Sequence, residues 1–124
     1  MSGETVLVVE DNPINLKLVQ VLLTRHGYNV LSAADAEEAL RVLKDSHPAL
    51  ILMDLQLPGM DGLQLTQLLK NNPQTKNIII LALTAYAMKG DEEKALNAGC
   101  DGYITKPFDT QALPKAVADF LQKS

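Results

Sequence analysis

Residues 51–62, ILMDLQLPGMDG, decide the fold. Ile51, Leu52 and Met53 run without a break into a single carboxylate, Asp54, and Leu57-Pro58-Gly59 then turns the chain. A short apolar run bounded by turn residues reads as a strand buried on both faces, here Ala49 to Met53. Ending such a strand in a lone Asp is costly, because a carboxylate at the rim of an apolar sheet needs a partner. Asp54 is therefore the candidate chemical centre, and the strand that delivers it belongs in the middle of a sheet.

Outward from this strand the chain alternates. Before it, TVLVV (Thr5 to Val9) is a β-branched strand that ends in Glu10-Asp11-Asn12, with Pro13 opening a helix capped by Asn12 or Asp11. Ile14, Leu18, Val19, Leu22 and Leu23 share the inner face of that helix, and His26-Gly27 closes it. Tyr28 to Ser32 is a second strand. Asp35 caps a helix with Ala36, Ala39, Leu40 and Leu43 inward, stopped before Pro48. After Asp54, a helix from Asp61-Gly62 places Leu65, Leu68 and Leu69 inward and ends at Asn71-Asn72-Pro73. Ile78 to Leu83 is the fourth strand. A weakly amphipathic helix over 88–97 has Ala95 and Leu96 as modest core contacts. Tyr103 to Thr105 is a short fifth strand, and Thr110 to Gln122 a last helix with Leu113, Val117, Phe120 and Leu121 inward.

Strands alternating with helices imply a parallel sheet covered on both faces. With right-handed crossovers, five such units predict an α/β, doubly wound five-stranded parallel sheet of order 2-1-3-4-5 with five helices, its switch point between strands 1 and 3. Residues 1–124 are expected to be a single domain with no output domain attached.

Composition narrows the function. Acidic residues outnumber basic ones 15 to 11, no basic run occurs and Trp is absent, which argues against direct nucleic-acid binding. The single cysteine, Cys100, excludes an internal disulfide and a multi-cysteine metal site. It reads as a packed small hydrophobe rather than a redox centre. No basic segment precedes the first apolar run, and no apolar run approaches ~18 residues, so neither a signal peptide nor membrane insertion is expected. A cytoplasmic location follows as the expectation.

In a parallel sheet the C-terminal ends of all strands share one edge. Read in order, those ends supply Glu10 and Asp11, then Asp54, Thr84 and Lys106, whereas strand 2 ends in uncharged Ser32-Ala33-Ala34. Each feature alone has a bland explanation: a cap cluster, a turn-forming Asp, a strand-end Thr, a surface Lys. Their conjunction on one edge does not. Two or three carboxylates that close repel unless protonated or joined by a cation. Oxygen donors favour Mg²⁺, which takes one or two carboxylates, water and a phosphate oxygen. Lys106 supplies positive charge and Thr84 a hydroxyl for the same phosphoryl group, which leaves Asp54 as the nucleophile of an aspartyl phosphate.

VVEDNPIN, LILMDLQLPGMDG, LALTAYA and GYITKPF, in this order over the whole chain, resemble the receiver domain of bacterial two-component response regulators. The similarity extends to single-domain receivers of the chemotaxis and cell-fate types and to receiver modules of hybrid histidine kinases. The resemblance implies a flavodoxin-like fold and a protein that is no ordinary enzyme: a signalling phosphoacceptor that catalyses its own phosphorylation and dephosphorylation. It implies Asp54 as phosphoacceptor and Asp11 as direct Mg²⁺ ligand, with Mn²⁺ a substitute. Glu10 would act through water, and the Gln56 backbone carbonyl would be a further ligand. Thr84 would be the switch hydroxyl, Lys106 the phosphoryl-binding lysine, followed by a cis bond to Pro107, and Tyr103 the switch aromatic. Partners implied are a histidine kinase or histidine phosphotransfer protein, plus a downstream protein target.

Several expectations follow. Gln56 and Tyr86 are sizeable at positions that flank the hydrolytic water in this family, which suggests slow self-dephosphorylation. The face of helix 4, strand 5 and helix 5 is expected to switch on phosphorylation. Ile14, Asn15, Lys17 and Leu18 either dock a phosphodonor helix or, for the two apolar ones, are core. His26 and His47 sit in no site. A flavin carrier would share the fold, but the acidic EDNPIN would repel a phosphate that lacked a metal. An Asp-nucleophile phosphohydrolase should carry its nucleophile after strand 1. A binding module that is never phosphorylated would leave Asp54, Thr84 and Lys106 unexplained.

Overall fold

Five strands lie side by side, all parallel, in the order β2-β1-β3-β4-β5. The computed structural model describes residues 3–55, 62–84, 89–105 and 110–123. The strands are β1 (Thr5–Val9), β2 (Asn29–Ala33), β3 (Leu50–Asp54), β4 (Ile79–Thr84) and β5 (Gly102–Thr105). The helices are α1 (Pro13–Arg25), α2 (Ala36–Asp45), α3 (Gly62–Lys70), α4 (Lys89–Ala98) and α5 (Ala112–Lys123).

The sheet buries both faces, so the period-two alternation sorts its residues between two cores rather than between core and water. Leu7, Val9, Ile51, Met53, Ile80 and Ala82 meet α2, α3 and the end of α4 on one face. Val6, Val8, Leu50, Leu52, Leu81 and Leu83 meet α1 and α5 on the other. β3 is buried from end to end, which fits its apolar run Leu50–Met53 and extends to the carboxylate-bearing Asp54 that ends it.

Helix starts follow the cap chemistry in the sequence. The Asn12 side chain accepts from the N–H groups of Ile14 (2.9 Å) and Asn15 (3.2 Å), so Asn12 rather than Asp11 is the cap. Asp35 accepts from Glu38 N–H (2.8 Å), while Glu38 Oε1 reaches back to accept from Ala34 N–H (3.0 Å), one residue before the cap. Gly27 adopts φ 88°, as expected of a glycine just past a helix end.

Three sequence expectations need correction. Ile14 and Leu18 are not on the inner face of α1: they are 78% and 39% exposed, while Val19, Leu22 and Leu23 are buried. At 3.6 residues per turn, Ile14, Leu18 and Val21 form their own stripe, turned away from the sheet. Leu68 on α3 is 42% exposed and Leu96 on α4 is 49% exposed, so neither is a core contact. Strands β3 and β4 each run one residue further than the apolar pattern suggests. Pairing continues through Asp54↔Leu83 and Thr84↔Thr105, so the ladder carries both polar residues to the rim.

The far end of the sheet is tied by Lys70. Its Nζ donates to Ile78 O (2.8 Å), Lys76 O (3.3 Å) and Asp101 Oδ2 (3.0 Å). Asp101 Oδ2 also accepts from Ile80 N–H (2.8 Å), and Asp101 N–H donates to Ile80 O (2.8 Å). This network joins α3, the start of β4 and the turn before β5.

Candidate functional site

β1 and β3 are neighbours in the sheet but far apart in sequence, with β2 on the other side of β1. Their connections leave in opposite directions, so a crevice opens at their C-terminal ends. The register Val9↔Met53 puts the residues that follow, Glu10 and Asp54, on the same side of that crevice. Carboxylate oxygens of Glu10, Asp11 and Asp54 all lie within 4.8 Å of one another.

Burial sharpens this arrangement. Glu10 is 1% exposed and Asp54 3% exposed, whereas Asp11 faces solvent. Glu10 is held from behind: its Oε2 accepts from Asn12 N–H at 3.2 Å, which ties it to the start of α1. Two carboxylates at this separation repel by about 3 kcal/mol at an effective dielectric of ~20, more than an isolated surface contact contributes. A dication among them adds an attraction to each carboxylate that outweighs their mutual repulsion. The donor set is all oxygen, which favours a hard cation such as Mg²⁺ over zinc. Asp11 is the exposed member of the cluster, and Glu10, buried and hydrogen-bonded, the most constrained one.

The other predicted site residues divide into two groups. Thr84 ends β4, its backbone in register with Thr105 of β5, which places both strand ends on the same edge as Asp54. The Thr84 hydroxyl lies outside what the structure describes. Gln56, Tyr86, Lys106 and Pro107 also lie outside the described residues. Lys106 directly follows Thr105, the last residue of β5. Tyr103 stands on β5 in register with Ala82 and is 39% exposed. His26 Nδ1 lies 2.9 Å from Leu22 O, a helix-end contact remote from the acids.

Cys100 is buried, and burial pushes its thiol above its ordinary value of 9.0. Its Sγ donates to Thr66 Oγ1 at 3.7 Å, so it is a packed and protonated group, as its sequence context suggests. Two residues next to the site carried no signal in the sequence. Gly62 reads there only as part of the Asp61-Gly62 helix start, and Thr66 has no role there. In the structure both are buried, and Gly62 packs directly against the backbone of Asp54.

A family model for the response regulator receiver domain matches residues 6–118. The polar-differentiation response regulator DivK of Brucella ovis is 40% identical over 118 residues, 95% of this chain and 96% of that protein. Among solved structures, the receiver domain of a Pseudomonas aeruginosa sensor histidine kinase has a TM-score of 0.89 at 35% identity, covering 98% of this chain and 99% of that one. That structure holds a magnesium ion in its active-site cleft. A Saccharomyces cerevisiae response regulator receiver domain, co-crystallised with the histidine phosphotransfer protein upstream of it, has a TM-score of 0.86 at 33% identity, covering 95% of this chain and 88% of that one. No helix among the described residues is long and apolar enough to cross a membrane. With the sheet order, the acidic crevice and these relatives in agreement, the chain belongs to the response regulator receiver domains, the phosphoacceptor modules of two-component phosphorelays.

Proposed function

We propose that Asp54 accepts a phosphoryl group from a histidine kinase or a histidine phosphotransfer protein, in a reaction that depends on Mg²⁺. The observation that carries this is the convergence of the Glu10, Asp11 and Asp54 carboxylates at the β1–β3 crevice. A carboxylate oxygen of Asp54 attacks phosphorus, and the P–N bond of the donor phosphohistidine breaks, its electron pair staying with the imidazole nitrogen. Asp11, Asp54 and the Gln56 carbonyl would hold the metal, with Glu10 acting through water. When bound, Mg²⁺ supplies the positive charge that lets a dianionic phosphoryl group enter an acidic crevice. Lys106 holds the phosphoryl oxygens, and Thr84 donates its hydroxyl to one of them.

The signal leaves through protein contact at the face made by α4, β5 and α5. Tyr103, exposed on β5, turns inward as Thr84 moves toward the phosphoryl group. The phosphodonor docks on the outward stripe of α1, Ile14, Leu18 and Val21, bordered by Lys17 and Arg25. The exposure of Ile14 favours this docking role over the core role. The yeast receiver solved with its phosphotransfer protein supports that class of donor.

The test is incubation with Mg²⁺ and acetyl phosphate, followed by intact mass. Wild type gains one phosphoryl group and Asp54→Asn gains none. Equal uptake by the two proteins, or uptake in excess EDTA, sinks the assignment.

A further inference from the structure

Gly62 opens α3 against the end of β3. Built onto its backbone, a Cβ would overlap the carbonyl oxygen of Asp54 and come within 2.8 Å of Leu55 Cα. Both are main-chain atoms, which cannot swing aside as a side chain can. Gly62 is not among the described glycines with positive φ, so space rather than backbone freedom is what a hydrogen secures here. Gly62 N–H donates to Leu55 O at 3.3 Å, which completes the contact between the helix start and the strand end.

One of the two elements must yield when that space is filled. α3 is held from several directions. Leu65, Thr66 and Leu69 are fully or almost fully buried. Thr66 Oγ1 donates to Gly62 O at 2.7 Å and accepts from Cys100 Sγ. Lys70 fastens the other end of the helix to Ile78 O and Asp101. The end of β3 is laddered on one side only, toward β4, where Leu55 N–H also donates to Leu83 O at 3.1 Å. The β1 ladder stops at Val9↔Met53, and Asp54 is in register with Leu83 of β4 alone. Displacement therefore goes to Asp54.

We propose that Gly62 is a positioning residue for Asp54, and that Thr66, by pinning the Gly62 carbonyl, sets how far the Asp54 carboxylate stands from Glu10 and Asp11. This rests on the assignment of Asp54 as metal ligand and phosphoacceptor, and adds a residue that never touches metal or phosphate. A carboxylate moved by a fraction of an ångström still folds into the sheet but no longer matches its two partners.

The experiment uses the ¹⁵N-labelled full chain, wild type and Gly62→Ala, well below the melting temperature of both. In metal-free protein, the Asp54 and Leu55 amide resonances of Gly62→Ala move while those of β1 stay in place. On titration with Mg²⁺, its affinity falls by about tenfold or more, the range seen when support for a metal ligand is lost. Phosphoryl uptake from acetyl phosphate slows with it. A folded Gly62→Ala with wild-type Mg²⁺ affinity and unmoved Asp54 and Leu55 resonances overturns the proposal. Should Gly62→Ala not fold, Thr66→Val decides: it keeps volume but removes the hydroxyl's bond to the Gly62 carbonyl, so weaker Mg²⁺ binding supports the proposal and wild-type binding overturns it. Should wild type itself bind no Mg²⁺ and take up no phosphoryl group, the phosphoacceptor assignment fails. The metal-free resonances still judge Gly62.

Discussion

Val9 and Met53 are register partners at the last step of the β1–β3 ladder, so the two chains leave the sheet level with each other. Glu10 and Asp54 follow directly, and Asp11 completes the cluster. This placement has a cost without metal. Asp11→Asn removes one charge from the cluster and is expected to stabilise the metal-free protein by up to about 1 kcal/mol, small because Asp11 is exposed and screened. In EDTA its melting temperature rises by a few degrees, roughly 3–5 °C. In saturating Mg²⁺ the order reverses, because the variant binds the ion more weakly. Thermal melts with and without Mg²⁺ check this, and an unchanged difference between the two conditions would remove Asp11 from the ligand set.

The α1 stripe separates docking from chemistry. Ile14→Asp places a charge at a position 78% exposed, so the fold should tolerate it. Phosphorylation by acetyl phosphate should match wild type. Transfer from a cognate phosphohistidine donor should fall by at least about thirtyfold if Ile14 is a central anchor, the ~2 kcal/mol of a hot-spot residue. Parallel loss with both donors would mean that Ile14 acts on the site rather than on the partner.

Lys70 is a stability prediction. Lys70→Met keeps the aliphatic stem but loses three hydrogen bonds, two of them to main-chain carbonyls. Because the Lys70–Asp101 pair is partly solvated, the ion-pair share is small. The unsatisfied carbonyl of Ile78 dominates, and the cost is about 1–3 kcal/mol in urea denaturation. Asp101→Asn should cost less, since an amide oxygen can still accept from Ile80 N–H. A Lys70→Met protein as stable as wild type would show the network to be ornamental.

Cys100 gives a pH dependence. Burial is the main cause of its raised pKa, with the nearby Asp101 charge adding to it, and Thr66 and Lys70 opposing. The folded thiol keeps its proton at a pH where the unfolded thiol, near 9.0, has released it. That contribution is complete below the unfolded value and is lost as pH rises through the folded one. Wild-type stability should therefore fall more steeply above pH 9.0 than that of Cys100→Ala. Urea midpoints across that range check it: identical slopes for the two proteins would mean the thiol titrates as it does in the open chain.

Much of the candidate site was legible because its residues sit where strand patterns stop. TVLVV followed by Glu10-Asp11, and ILM followed by Asp54, need only the rule that parallel strands end on one edge. Ile14 and Leu18 were harder. An apolar residue at helical spacing fits the inner or the outer stripe, and only the helix's rotation on the sheet separates them. Leu68 and Leu96 were misread for the same reason. Gly62 was invisible as a functional residue, because the space it leaves belongs to a backbone atom eight positions earlier.

By itself the sequence determined the five alternating units, the sheet order and the identity of the acids, since periodicity, caps and crossover handedness are local or topological properties. Tertiary structure alone decided that the three carboxylates come within 4.8 Å, that α1 shows solvent an apolar stripe, and that α3 rests on the carbonyl of Asp54. Those outcomes depend on how far each ladder runs and on how each helix turns against the sheet. Both are set by packing across the whole molecule, which no single stretch of chain encodes.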